Sequence, residues 1–209
     1  MTHIGRSEKV LFMRIFIAVL VLIFSLQSWT KADDVRDLQI EGMSVGDSLY
    51  DHFIKKEIDN AKVHFYPKVD ELPNTTFQMM ELSNTKIITH TYDEVKFVVK
   101  KNDKKKIIQS VEGYIYYKKN INECVEKRDE IFSKITDYLS DKKFQIFENR
   151  SKHRQDKSKK SVVEEKIILF SSGAVIRVSC TDWSKKMGFL DELRVVINSE
   201  EFSNYLRLL

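Results

Sequence analysis

Twelve residues from Ile15 to Leu26, apolar throughout except for Ser25, decide the compartment in which the rest of this chain has to fold. Met13 and Arg14 give the run a short basic start, and Thr30-Lys31-Ala32 ends it with small residues at the two positions a signal peptidase reads. The run is well short of the roughly 20 residues a membrane-spanning helix needs. It therefore reads as a secretory signal helix, with residues 1–32 removed and residues 33–209 forming a single domain. The alternative is an uncleaved inner-membrane signal anchor using Leu11 to Leu26. A chain starting at Met13 would already be an ordinary precursor, so Met13 is the expected start, with residues 1–12 only lengthening the basic region. No cysteine follows the apolar run, which excludes a lipid-modified N-terminus on this reading.

Export changes what the charge means. Of the 35 Lys and Arg, four precede residue 33, against one of the 31 Asp and Glu, so the mature part is nearly balanced. An even balance without a concentrated basic face argues against nucleic acid as a partner. Membrane contact is expected only through the signal segment before cleavage. Cys124 and Cys180 are the two cysteines, and an even count in an oxidising compartment points to one disulfide. A bond closing that loop would stabilise the fold by roughly 4 kcal/mol in the chain-entropy picture. The rival reading is a reactive thiol at a helix N-terminus.

Along the mature part, Ser44 with Asp47 three residues on reads as the cap of a helix, with Val45, Leu49 and Phe53 on one face. Lys55 to Asn60 makes a second short helical turn. From Val63 the pattern changes to short strands, with Phe77 to Leu82 following a proline-bracketed loop. Tyr92 to Lys100 alternates, placing Val95, Phe97 and Val99 together, and Ile107 to Tyr117 returns with Glu112, Tyr114 and Tyr116 opposite its core strip. Asn122 to Ser140 has the clearest helical spacing. Lys142 to Lys160 is strongly basic, and its second half, without an apolar residue between Phe147 and Val162, reads as a solvated loop. A hairpin about Ser171-Ser172-Gly173, a further strand over Leu193 to Ile197, and a last helix capped by Ser199 complete the chain. The order predicts an α+β fold: an antiparallel sheet of about six strands with helices packed on one side. The two halves share a coarse order of elements without sequence self-similarity.

Gly46-Asp47-Ser48-Leu49 spells the signature of the GDSL esterases and lipases, in which the serine needs a histidine base oriented by an aspartate. Here no buried strand precedes the motif, no histidine has an aspartate three residues earlier, and the last histidine, His153, lies in the basic stretch. Ser48 is therefore a weak catalytic candidate, and the letters read better as the first turn of a capped helix. His52 and His64 lack companions at metal-ligand spacing, and phosphate-loop, dinucleotide and zinc motifs are absent. No metal and no cofactor is expected. Tyr114 and Tyr116 on the strand, or Lys157, Lys159 and Lys160 in the basic stretch, are the candidate binding surfaces.

Three stretches carry a family resemblance: Ala32-Asp33-Asp34 with Asp37 to Leu49, Ser179-Cys180-Thr181-Asp182-Trp183, and Leu193-Arg194-Val195-Val196-Ile197. On these the mature chain resembles a group of small exported proteins of marine alphaproteobacteria with AT-rich genomes. The resemblance implies export and a single domain, and it brings no activity with it. Gly42-Met43-Ser44 is also faintly similar to the first helix of SmpA/OmlA-type envelope assembly proteins. The expected function is a periplasmic, non-catalytic binding role in the cell envelope, toward an envelope protein or an anionic surface. The alternative is a secreted GDSL-type serine hydrolase acting through Ser48.

Overall fold

Eight strands make one antiparallel sheet in the computed structural model, which describes residues 35–70, 72, 76–82, 91–118 and 120–209. The expected signal helix lies outside the described residues. The strands are β1 (Lys62–Phe65), β2 (Phe77–Glu81), β3 (Glu94–Lys100), β4 (Ile108–Tyr117), β5 (Phe144–Lys152), β6 (Val162–Phe170), β7 (Val175–Asp182) and β8 (Asp191–Asn198). Their order across the sheet is β1-β2-β3-β4-β8-β7-β6-β5. Two four-strand meanders are thus joined back to back through β4 and β8, where Val111 stands opposite Ile197 and Tyr114 opposite Arg194. Eight strands replace the six expected. β1 and β5 form the two edges, and neither is buried enough to show the apolar alternation by which a half-buried strand is read. The second half of the basic stretch is correspondingly not all loop: β5 runs to Lys152, pairing with β6 residue for residue.

The sheet has two unlike faces. Val95, Phe97, Val99, Val111, Ile176, Val178, Leu193 and Ile197 project to one side and form the main core. Helix α2 (Ile121–Tyr138), its first turn capped by Asn120, crosses this side and buries Cys124, Arg128 and Phe132. Cys124 joins Cys180 of β7 across a Cα separation of 6.0 Å, so the expected disulfide fastens helix to sheet. This side is called the disulfide face below.

Ser44 does not cap a helix. Gly46 sits at φ +97°, which breaks any helix through Asp47, and its N–H donates to the Ile108 carbonyl while Ile108 donates to Asp47. The segment is thereby stitched to the start of β4, and only a 3-10 turn, Leu49–Asp51, follows it. Val45, Leu49 and Phe53 are nevertheless all buried in the core beneath the disulfide face. Their apolarity was a true sign of burial and a false sign of helix. The short helix α1 (Lys55–Asp59) then leads into β1.

The helices do not share one side. Helix α3 (Glu200–Arg207), capped by the Ser199 hydroxyl, packs on the opposite face, where Phe202 and Tyr205 meet Phe77 and Val98. Tyr66 closes this second cluster, its ring 5.2 Å from Phe202 and 6.2 Å from Tyr205. The Tyr205 hydroxyl donates to the Pro67 carbonyl and so ties the helix to the chain following β1. Fully burying each of these aromatics is worth about 1.5–3 kcal/mol, enough to hold an eight-residue helix that would not persist alone. Because α3 covers only the Ser110 and Asn198 ends of β4 and β8, the other end of this face is left for polar side chains. Tyr114 and Tyr116 lie there, and it is called the tyrosine face.

Candidate functional site

Strand alternation and the β4–β8 register bring Glu112, Tyr114, Tyr116, Arg194 and Glu192 onto the tyrosine face, with Lys96 and Glu94 beside them from β3. Glu112 is 1 % exposed. One of its oxygens accepts three hydrogen bonds: Arg194 Nη2 at 2.6 Å, Arg194 Nε at 3.1 Å and the Tyr114 hydroxyl at 2.6 Å. The Arg194 side chain is itself a third exposed, and its Nη1 carries no hydrogen bond among the described residues. The buried carboxylate thus fixes a guanidinium whose other edge stays accessible. Burial disfavours the charge on Arg194, but Glu112 outweighs that penalty and holds its pKa above the ordinary arginine value. Burial, reinforced by Glu112, keeps the Tyr114 hydroxyl protonated far above the usual phenol range.

Around this floor the side chains become more exposed. Tyr116 stacks on Tyr114 with centroids 6.4 Å apart and donates to Glu94 at 2.5 Å. Lys96 lies over the Tyr114 ring at 4.7 Å and the Arg194 guanidinium at 5.5 Å, so the ring has two cations within reach of its π system. Glu192 has its pKa raised by burial, with Arg194 and Lys96 opposing the shift. Beyond the end of β7, the Trp183 ring meets His153, tilted at 4.2 Å, and Phe189, edge-on at 5.0 Å, and Phe189 and Leu190 are exposed. The arrangement is an aromatic and charged surface with a rigid, hydrogen-bonded base. It can receive a polar or charged group at Arg194 and an apolar one at Trp183 and Phe189.

The residues singled out from sequence fall in different places. Tyr114 and Tyr116 share the expected face, but Tyr114 is 6 % exposed and belongs to the floor, whereas Tyr116 is 37 % exposed and belongs to the surface. Lys157, Lys159 and Lys160 are all exposed on the loop after β5. That loop is clamped: buried Asp156 accepts hydrogen bonds from the backbone and hydroxyl of Ser158, the backbone and hydroxyl of Ser161, and the Ser184 hydroxyl. Ser48 donates to the Lys105 carbonyl at 2.6 Å and accepts from the Tyr50 N–H, as a capping serine does. His52 turns to Asp47, and no histidine reaches the Ser48 hydroxyl among the described residues. His64 faces Glu81, at 3.1 Å. Among the described residues no group of three His, Cys, Asp or Glu is placed to hold a metal ion.

Glu112 and Arg194 are the central pair of this site, and sequence reasoning did not select them. The signal was present: each is a charged residue in the middle of a strongly apolar strand, on the parity opposite its core strip. Only the β4–β8 register, which no local pattern announces, sets them on neighbouring strands of one face. Comparisons of the chain with protein-family models, with curated proteins and with solved structures find no match.

Proposed function

We propose that this protein is an exported, non-catalytic binding domain of the cell envelope that engages a partner through the tyrosine face. The observation that carries the reading is the ion pair between buried Glu112 and half-buried Arg194 in the middle of a sheet. Well-packed apolar side chains at those positions would be neutral or more stabilising, so the pair is better accounted for by what it presents than by what it holds together. Tyr116, Trp183 and Phe189 add the aromatic side chains that anchor protein interfaces. Glu94 and Glu192, which flank Tyr116, give the surface an acidic rim suited to a partner that brings a cation. Export is supported by the signal-like segment before Asp33, by the resemblance to small exported proteins, and by a disulfide pairing suited to an oxidising compartment. The loop with Lys157, Lys159 and Lys160 is a second exposed surface, suited to anionic groups.

The test is a pair of variants compared by pull-down from the host envelope. Tyr116→Ala with Arg194→Met is expected to lose the co-purifying partner while Lys157→Glu with Lys159→Glu retains it. Unchanged recovery from the first variant, with its fold intact by circular dichroism, would rule out the tyrosine face.

A further inference from the structure

The tyrosine face carries a second feature at its other end, about six residues along β8 from Glu192, and it does not depend on the partner reading. Between α3 and strands β5 to β7 runs a cleft with two compartments of about 250 Å³ and 460 Å³ that share Leu169 and Arg207. The walls of the smaller compartment are mainly apolar: Phe147, Ile167, Leu169, Val175 and Leu206. The strand residues among them lie on the tyrosine face by parity, since Phe147, Ile167 and Val175 alternate with residues directed at the disulfide face, and Leu206 comes from α3. The floor is not apolar. Asn198 and Ser203 are each 4 % exposed, and Asn198 Oδ1 and Ser203 Oγ are buried without a hydrogen-bond partner. A buried polar atom left unpaired is costly, and two of them lining one cleft point to groups that a ligand would satisfy.

The charge at the cleft has one sign. Lys143, Arg177 and Arg207 line it, and among the described residues no carboxylate does. Arg177 is paired with Glu165, at 3.2 Å, but among the described residues Arg207 bonds only neutral partners, the Ser203 and Gly173 carbonyls and the Asn204 amide oxygen, and Lys143 makes no ion pair. Apolar walls select a hydrocarbon chain, and two unneutralised cations select an anionic head. The orphaned acceptor on Asn198 adds a requirement, because an oxygen acceptor can be satisfied only by a ligand O–H or N–H. We infer that this cleft binds a single-chain anionic amphiphile bearing a hydroxyl or amide near its head, with the chain along Leu169 and Leu206 and the head beside Arg207 and Lys143.

The intact exported chain, titrated with anilinonaphthalene sulfonate, provides a signal that ligands displace. β-Hydroxydodecanoate is expected to displace the dye at lower concentration than dodecanoate, and dodecanoate at lower concentration than dodecanol. Leu206→Trp, which fills the cleft from its half-exposed wall, is expected to weaken all three by roughly tenfold or more. Arg207→Gln should remove the preference for the acid over the alcohol. Asn198→Leu should remove the preference for the hydroxylated acid while leaving the melting temperature unchanged or higher, because it deletes the unpaired buried acceptor. That combination separates a ligand contact from a structural role. Equal displacement by all three probes, displacement unaffected by Leu206→Trp, or binding to anionic phospholipid vesicles without binding to the monomeric acids would each overturn the assignment.

Discussion

Glu112 and Arg194 are unequally buried, and that inequality makes their contributions separable. Removing Arg194 as Arg194→Met leaves a carboxylate that is 1 % exposed with only the Tyr114 hydroxyl to stabilise it, a loss expected to cost about 3 kcal/mol or more. Glu112→Gln leaves a guanidinium that can turn toward water, and about 1–2 kcal/mol is expected. The double change Glu112→Leu with Arg194→Met should return stability to the wild-type level or above it, measured by urea unfolding, while partner binding is lost. Gly113, next to Glu112 on β4, makes a second test. A Cβ there would lie 2.5 Å from the Tyr92 ring, so Gly113→Ala forces the ring off the sheet and should cost about 1–3 kcal/mol. Neither effect was legible in the sequence, because one depends on the register that sets Arg194 near Glu112 and the other on a ring that the chain before β3 lays over β4.

At the scale of elements, the long-range fastenings differ in how they respond to conditions. The Cys124–Cys180 bond spans 56 residues, and its reduction should lower stability by about 4 kcal/mol without dissolving the sheet, since Phe132 and Leu139 still hold α2. Unfolding with and without reductant measures this. The Asp156 clamp responds to acid. Hydrogen bonds from Ser158, then Ser161 and Ser184, hold its carboxyl well below the usual carboxylate range. A carboxyl depressed in the folded state adds stability that is complete above its unfolded pKa of about 4, and the contribution is lost as pH falls from there toward the folded value. Asp156→Asn should therefore melt lower than wild type at pH 7, with the difference narrowing steadily as pH falls below about 4. The same comparison explains what could be read of the elements. The alternating apolar residues of β3 and β4 and the α2 stripe announce themselves by period. β5 is held by its ladder to β6 alone, and the 44–53 segment follows Gly46 rather than its apolar spacing.

For the whole molecule, the α+β class and the antiparallel pairing followed from short turns between apolar runs, but the number of strands and the sides taken by the helices did not. The two long helices take opposite faces. Here α2 follows β4 and crosses to β7 and β8 on the disulfide face, whereas α3 leaves β8 and folds back beneath β2 and β3 on the other. That division leaves half of the tyrosine face without a helix, and the proposed binding role rests on it. Export is a separate claim: the intact mass of protein recovered from the host envelope should begin at Asp33 and be blind to thiol alkylation. The most direct test of the central claim is site-specific photo-crosslinking in intact host cells, with the probe at Tyr116 on the tyrosine face and, as control, at Glu126 on the exposed side of α2. The account predicts a discrete adduct from position 116 that disappears with Arg194→Met, and none from position 126. No adduct from 116, or equal adducts from both positions, would contradict it.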